Sequence, residues 1–136
     1  MLPGLFQSTS IPVLEQLVTF AQARHTVLAG NIANMDTPGY QARDISVDDF
    51  QERLKTAIED QKNPSAMSPG EPGWQQPVPL AEVAKNSQSV LRHDRGNVSM
   101  EYQAAEMAKN QMQHNLALSL LVSQFRLLQS AISEKV

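Results

Sequence analysis

Residues 31–40 read Asn-Ile-Ala-Asn-Met-Asp-Thr-Pro-Gly-Tyr and lie where a long helical pattern has to end. Pro38 lacks the backbone N–H that a helix needs, and Gly39 favours a turn. Thr37, which precedes the proline, is driven toward an extended conformation. Asn34 is a candidate for a left-handed cap of the helix. The stretch therefore predicts a joint between two segments, made by Asn31, Asn34, Thr37, Pro38, Gly39 and Tyr40.

Upstream of the joint, apolar residues recur at helical spacing, which predicts a helix over 11–33 with Ser10 as its N-cap and Pro12 in its first turn. One row alternates steps of four and three residues and is typical of a heptad seam: Leu14, Val18, Ala21, His25, Leu28 and Ile32. A second apolar row beside it contains Leu17, Phe20 and Val27. Two rows indicate a helix that packs on more than one neighbour.

The segment after the joint has less regular patterns. Residues 41–47 favour an extended conformation, and Asp48-Asp49 can begin a short helix to about Glu59 that buries Phe50, Leu54, Ala57 and Ile58. Residues 61–80 hold five of the eight prolines, which predicts an irregular loop around Trp74. Either packing on the helices or contact with a partner accounts for Trp74. Residues 80–91 fit a weak helix or a strand near 87–91, and residues 94–97 a turn.

A second long helix is predicted from the N-cap Ser99, with Glu101 in its first turn, to about Ile132. It would span about 50 Å at 1.5 Å per residue, too long to be covered by the first helix alone. Its heptad seam is Ala104, Met107, Gln111, His114, Leu118, Leu121, Phe125, Leu128 and Ile132. We therefore predict a mainly α fold, with long N- and C-terminal helices (1–36 and 99–136) paired antiparallel in a coiled-coil-like way around an irregular, Pro-rich middle segment (37–98).

The last half of this helix is apolar on nearly all sides. Eleven of the seventeen residues from 116 to 132 are apolar, and Arg126 is the only charged one. A helix of this kind is normally buried, but the first helix covers only one of its sides. Monomers seldom leave more than a few hundred Å² of contiguous apolar surface exposed. The pattern therefore predicts burial between molecules.

Composition argues against several classes of function. The chain of 136 residues has a net charge of −3 and no cysteine, so it lacks the basic field of a nucleic-acid protein and cannot use thiol chemistry. His25, His93 and His114 are too scattered for a helical metal pair. Two sets of acidic residues, Asp48-Asp49 and Glu101 with Glu106, are better explained as helix-start and surface charges than as a catalytic carboxylate pair. We predict a protein that is not an enzyme and has no cofactor, metal site or small-molecule substrate.

The N-terminus has no basic segment, long apolar segment or small-residue cleavage site, so we expect no Sec-type signal peptide. No unbroken apolar run approaches the ~20 residues that span a bilayer. By these criteria alone the chain would be soluble and cytoplasmic.

Both ends of the chain carry recognisable motifs. The first is Asn31-Ile32-Ala33-Asn34, followed by Thr37-Pro38-Gly39-Tyr40 and Ala42-Arg43-Asp44; the second is Gly96-Asn97-Val98, followed by Glu101 and Glu106-Met107-Ala108-Lys109-Asn110-Gln111. Together they resemble the axial proteins of the bacterial flagellum, in particular the proximal rod proteins, over about residues 14–47 and 94–132. Arg95 departs from the usual Asp-Gly-Asn before the terminal helix. Phe50 and Leu54 fit a loose pattern that the flagellar export gate reads, or simply form one face of a short helix.

The resemblance implies a structural subunit of the proximal rod, exported without a cleaved signal by the flagellar type III apparatus. Its place would be the periplasm-spanning basal body and not the cytoplasm. The partners it implies are copies of the chain, adjoining rod proteins, the protein that joins the membrane ring to the rod, and the export gate. The assembly seam would contain Leu14, Val18, Leu28, Ile32, Leu118, Leu121, Phe125 and Leu128. Asn31 and Asn34 would hydrogen-bond backbone across a subunit boundary. The alternative function is a cytoplasmic helical adaptor or secretion chaperone.

Overall fold

The computed structural model describes residues 9–63, 69–72, 77–91 and 99–134. Within them the chain forms three α-helices, one 3₁₀ turn and two short strands. In order these are α1 (Ile11–Ala33), β1 (Arg43–Ile45), α2 (Val47–Lys62), the 3₁₀ turn (Leu80–Glu82), β2 (Ser89–Leu91) and α3 (Met100–Ser133). The mainly α fold predicted from the sequence is confirmed.

The end of α1 confirms the predicted turn and corrects the predicted cap. Asn34 closes the helix with φ −107°, and no residue other than glycine has a positive φ in the described part of the chain, so the left-handed cap is wrong. The Tyr40 N–H donates to Thr37 O at 3.2 Å, and Gly39 has φ +77°. Pro38 and Gly39 thus occupy the two central positions of a type II turn, which Pro and Gly favour in that order.

Gly39 is the residue on which this turn depends. We expect Gly39→Ala to lower the free energy of unfolding by about 1 kcal/mol, because a side chain is disfavoured at positive φ. Steric contact is not the cause, since a Cβ there would meet nothing within 4 Å. Gly30→Ala is the control: its Cβ would lie 3.9 Å from Tyr40 Oη, in ordinary contact, inside a helix. Urea unfolding of both variants checks the prediction, and an equal loss at the two sites would contradict it.

The second apolar row of α1 packs on the middle segment. The Phe20 ring stacks on Phe50 of α2 with centroids 3.9 Å apart and an angle of 13° between the planes. Leu17 and Val27 of the same row lie against this core. The core's buried members are Phe20, Ile45, Phe50, Ala57, Leu80, Val83 and Ala84. The prediction that α1 has more than one neighbour is confirmed.

The middle segment folds around that core. Ser46 caps α2 by accepting the Asp49 N–H at 3.2 Å, so the helix begins one residue before the predicted acidic pair. The extended stretch pairs with the end of the segment in a two-stranded antiparallel sheet, in which Arg43 lies opposite Leu91. Residues 80–91 contain both predicted alternatives, a helical turn and then a strand. Trp74, His93 and the predicted turn at 94–97 lie outside the described residues.

Helix α3 begins after Ser99, whose hydroxyl oxygen accepts the Tyr102 N–H at 3.2 Å, and ends within one residue of its predicted end. It runs antiparallel to α1. Side chains of Gln103, Glu106 and Asn110 hydrogen-bond, in that order, to positions 31, 24 and 21 of α1. By this register Ile11, the first residue of α1, lies opposite about residue 120. The remainder of α3 extends past it.

Candidate functional site

The surface between α1 and α3 shows which side of each helix faces inward. On α3 the buried positions are seven residues apart, at Gln103, Asn110 and Ala117. Half-buried residues beside them follow the same period: Met107, His114, Leu121 and Leu128. On α1, Leu14, Ala21 and Leu28 are buried, Val18 and Ile32 are half-buried and His25 is exposed. The α1 seam and one half of the α3 seam therefore face inward, except at His25.

The other half of the predicted α3 seam faces outward. Leu118 is 40% exposed and Phe125 51% exposed, while Ala104 and Gln111 are also exposed. The buried positions lie one residue earlier, at Gln103, Asn110 and Ala117. Burial of Leu118 and Phe125 between subunits stays a prediction.

Polar side chains are buried between α1 and α3. Asn110 is 1% exposed and donates from Nδ2 to the Ala21 carbonyl at 2.8 Å. Neither Asn110 Oδ1 nor the two ring nitrogens of His114 has a hydrogen-bond partner in the described structure. Buried polar groups are costly unless they are paired. The pairing of α1 with α3 is therefore not a simple apolar seam.

Arg24 ties three elements together. Its guanidinium donates from Nε and Nη2 to the two carboxylate oxygens of Asp44, just before the core residue Ile45, both at 2.9 Å. Nη2 also donates to Glu106 Oε2 on α3 at 2.6 Å. The hydrogen bonds to Asp44 are the main cause that raises the pKa of Arg24 above its ordinary value; burial opposes them and Glu106 adds to the rise. The side chain of Arg24 is only 4% exposed, against 16% and 19% for the two carboxylates.

The side chain of Asn31 hydrogen-bonds across the joint to Tyr40 and Arg43 of the same chain. Its Oδ1 accepts the Arg43 N–H and the Tyr40 hydroxyl, both at 3.0 Å. Its Nδ2 donates to the Arg43 carbonyl and, at 3.3 Å, to Gln103 Oε1. The side chain thus pairs with both backbone groups of Arg43, as a neighbouring strand would.

Asn34 also bonds within the chain, since its Nδ2 donates to the Gly30 carbonyl at 2.9 Å. Within the described chain both asparagines therefore bond inside one subunit, and a hydrogen bond from either of them across a subunit boundary stays a prediction. The rest of the predicted joint, Thr37, Pro38, Gly39 and Tyr40, is exposed.

The pattern proposed for the export gate is largely hidden in the folded chain. Phe50 is 1% exposed because it stacks on Phe20, and Leu54 is half-buried against the same core. Both residues lie on one face of α2, as the simpler explanation of the pattern requires.

The outer face of α3 carries most of the exposed large apolar residues of the described chain. We use this name for its exposed large apolar residues: Met100, Tyr102, Met112, Leu116, Leu118, Leu120, Val122, Phe125, Leu127 and Ile132. By length and composition α3 could cross a membrane, with a mean hydropathy of 1.3 over 18 residues, and only 6% of that window is buried. So much exposed apolar surface marks a contact with a membrane or with other proteins.

The histidines give little basis for a metal centre. His25 and His114 line a groove of about 260 Å³ between α1 and α3, together with Asn110. No group of three or more metal-ligating side chains of the Cys, His, Asp or Glu type exists among the described residues. Catalytic chemistry does not follow from this groove.

Comparison with known proteins identifies the family of the chain. Residues 20–41 match the family described as "Flagella basal body rod protein". The chain is 30% identical over 119 residues to the flagellar basal body rod protein FlgB of Escherichia coli K12, which covers 82% of this chain and 84% of the relative. The chain belongs to the FlgB family. FlgB of Proteus mirabilis HI4320 is 27% identical, in a match that covers 88% of this chain and 90% of the relative. FlgB of Aquifex aeolicus VF5 is also 27% identical, in a match that covers 90% of this chain and 91% of the relative.

Residues 20–41, which match the basal body rod family, contain the second half of α1 and the whole joint. They include Arg24 and Asn31, which bond to β1 and α3. Sequence reasoning identified Asn31 but missed Arg24, Gln103 and Asn110. The seven-residue steps from Arg24 to Asn31 and from Gln103 to Asn110 were the available signal.

Proposed function

We propose that this FlgB-family chain is a subunit of the proximal rod and that the outer face of α3 carries its assembly. The coarser statement follows from family membership: the chain is a structural component of the flagellar basal body rod. The observation that supports the finer one is the exposure of residues such as Leu118, Leu120 and Phe125 along one helix. Apolar surface of this extent is stabilised only when it is removed from water.

The contacts we propose are heterologous, so that each subunit adds to an open-ended helical array and not to a closed ring. The partners are other copies of the chain, adjoining rod proteins and the protein that joins the membrane ring to the rod. In this proposal residues 1–36 and 99–136 form the inner core of the array. Residues 37–98 lie farther out, because the turn at Pro38-Gly39 redirects the chain.

The same proposal includes export by the flagellar type III apparatus without a cleaved signal peptide. If the export gate reads Phe50 and Leu54, it does so before the chain folds, because the folded core buries Phe50. The absence of cysteine is compatible with passage into an oxidising compartment.

Leu118→Asp tests the assembly surface. Leu118 is 40% exposed, so the charge should leave the isolated subunit folded while it prevents burial against a neighbour. We expect normal helical circular dichroism, export into the periplasm, and loss of rods and motility in cells that carry only this variant. Leu118→Met is the control, because it keeps an apolar side chain of similar volume, and we expect it to assemble.

Two outcomes would contradict the proposal. If the Leu118→Asp protein forms rods normally, the outer face of α3 does not carry the assembly. A purified wild-type protein that forms a closed, folded dimer by light scattering would favour the alternative, a cytoplasmic adaptor or secretion chaperone.

A further inference from the structure

Helix α3 carries two heptad seams that could pair with α1. The observed seam buries Gln103, Asn110 and Ala117. The other seam lies one residue later and consists of Ala104, Gln111 and Leu118. Both share the half-buried Met107, His114 and Leu121. Neighbouring residues of a helix are 100° apart, and the two seams differ only in every second member, so their centre lines are about 50° apart. Rotating α3 by that angle about its own axis exchanges one seam for the other.

Apolar burial favours the seam that the structure does not use. The other seam would replace Gln103 by Ala104 and Ala117 by Leu118, which is more apolar at two of three positions. In the observed rotation Leu118 remains 40% exposed and Gln103 is 2% exposed. Another contribution must therefore determine the rotation of α3.

Three side-chain contacts supply that contribution. Asn110 donates to the Ala21 carbonyl at 2.8 Å, Gln103 accepts from Asn31 at 3.3 Å, and Glu106 accepts from Arg24 at 2.6 Å. Rotating α3 by half a residue step would break these contacts and leave the α1 partners buried with fewer bonds. Unpaired buried polar groups are costly, and single buried polar residues are known to fix the register of helical pairs.

We infer that these three contacts form a rotational lock, which holds α3 so that Leu118 and its neighbours stay on the outer face. The lock keeps the apolar rows available to other subunits by preventing α1 from covering them. The use of this exposed face in assembly rests on the proposed function. The lock itself is a property of the single folded chain and is testable without assembly.

Asn110→Asp tests the lock with a change of almost no volume. The substitution removes the donor to Ala21 and places a buried carboxylate against that carbonyl, so it disfavours the observed rotation. In the other rotation position 110 moves toward solvent. Asn115→Asp is the matched control, because it makes the same change at an exposed position of the same helix.

Two single-cysteine reporters distinguish rotation from unfolding, and the natural absence of cysteine makes them unambiguous. Ala117 is 0% exposed and Ala104 is exposed. With Asn110→Asp we expect maleimide to label Ala117→Cys roughly tenfold faster and Ala104→Cys roughly tenfold slower, because protection follows burial. Unchanged rates at both reporters would overturn the inference, as would faster labelling at Ala117→Cys without slower labelling at Ala104→Cys.

Asn110→Leu makes the opposite change and covers the case in which the first variant unfolds. A leucine at this buried position makes the observed seam more apolar. Packing, instead of the hydrogen bond to Ala21, then favours the observed orientation of α3. We expect Ala117→Cys to stay as protected as in the parent protein and Ala104→Cys to stay exposed. Exchange of the two reporters in this variant would show that the contacts of Gln103 and Glu106 do not hold the rotation even when packing at position 110 favours it, and it would overturn the inference that three contacts share the lock.

The labelling experiment uses dilute purified protein. Its outcome is therefore independent of rod assembly, and failure of the Leu118→Asp experiment would contradict the proposed function without affecting the lock.

Discussion

Arg24→Ala is expected to lower the free energy of unfolding by about 3 kcal/mol, because it removes the cation from a buried ion-pair network. The guanidinium satisfies both oxygens of Asp44 and one of Glu106. Without it, the two carboxylates are left near each other at 16% and 19% exposure, and the hydrogen bonds of Arg24 to Glu106 on α3 and to Asp44 are lost. Urea unfolding followed by circular dichroism measures the change.

Arg53→Ala is the matched control for that measurement. Arg53 also pairs with an aspartate at 3.0 Å, but the two side chains are 42% and 44% exposed. Exposed pairs within one helix contribute about 0.5 kcal/mol. Losses of equal size in the two variants would show that Arg24 does not join elements of the fold.

The bounds of α1 and α3 were predictable because local chemistry sets them. Pro38 and Gly39 end the first helical pattern, and Ser99 begins the last one with a side-chain cap. The two apolar rows of α1 also correctly indicated two neighbours, since two adjacent rows form a wider apolar stripe than one neighbouring helix covers. Local signals of this kind need no knowledge of the rest of the chain.

The rotation of α3 was not predictable from apolar periodicity. A period identifies an inward face only when apolar residues concentrate on one side, whereas residues 116–132 are apolar on nearly all sides. The choice between Ala117 and Leu118 depends on contacts between residues far apart in the sequence, such as Asn110 with Ala21. For the same reason the sequence indicated that Asn31 is important without identifying Arg43 as its partner.

Asn31→Asp is expected to lower the free energy of unfolding by about 3 kcal/mol at neutral pH, although it keeps the shape of the side chain. The amide donates to the Arg43 carbonyl and to Gln103 Oε1. A carboxylate cannot donate to either. Gln103 can turn its amide to become a donor, but the backbone carbonyl of Arg43 cannot, so one acceptor remains directed at a charged oxygen in a site that is 2% exposed.

The pH dependence of this loss separates a charge effect from a packing effect. Burial and the facing carbonyl raise the pKa of the new carboxylate above its value in the unfolded chain. The part of the loss that comes from charge is therefore absent below the unfolded value of about 4, grows as the pH rises through the folded value, and is complete above it. Asn31→Ala removes the same donor without adding a titratable group, so its loss relative to wild type should not change over this range. If the two variants follow parallel curves from pH 4 to pH 8, Asn31 acts through packing alone and not as a donor to Arg43.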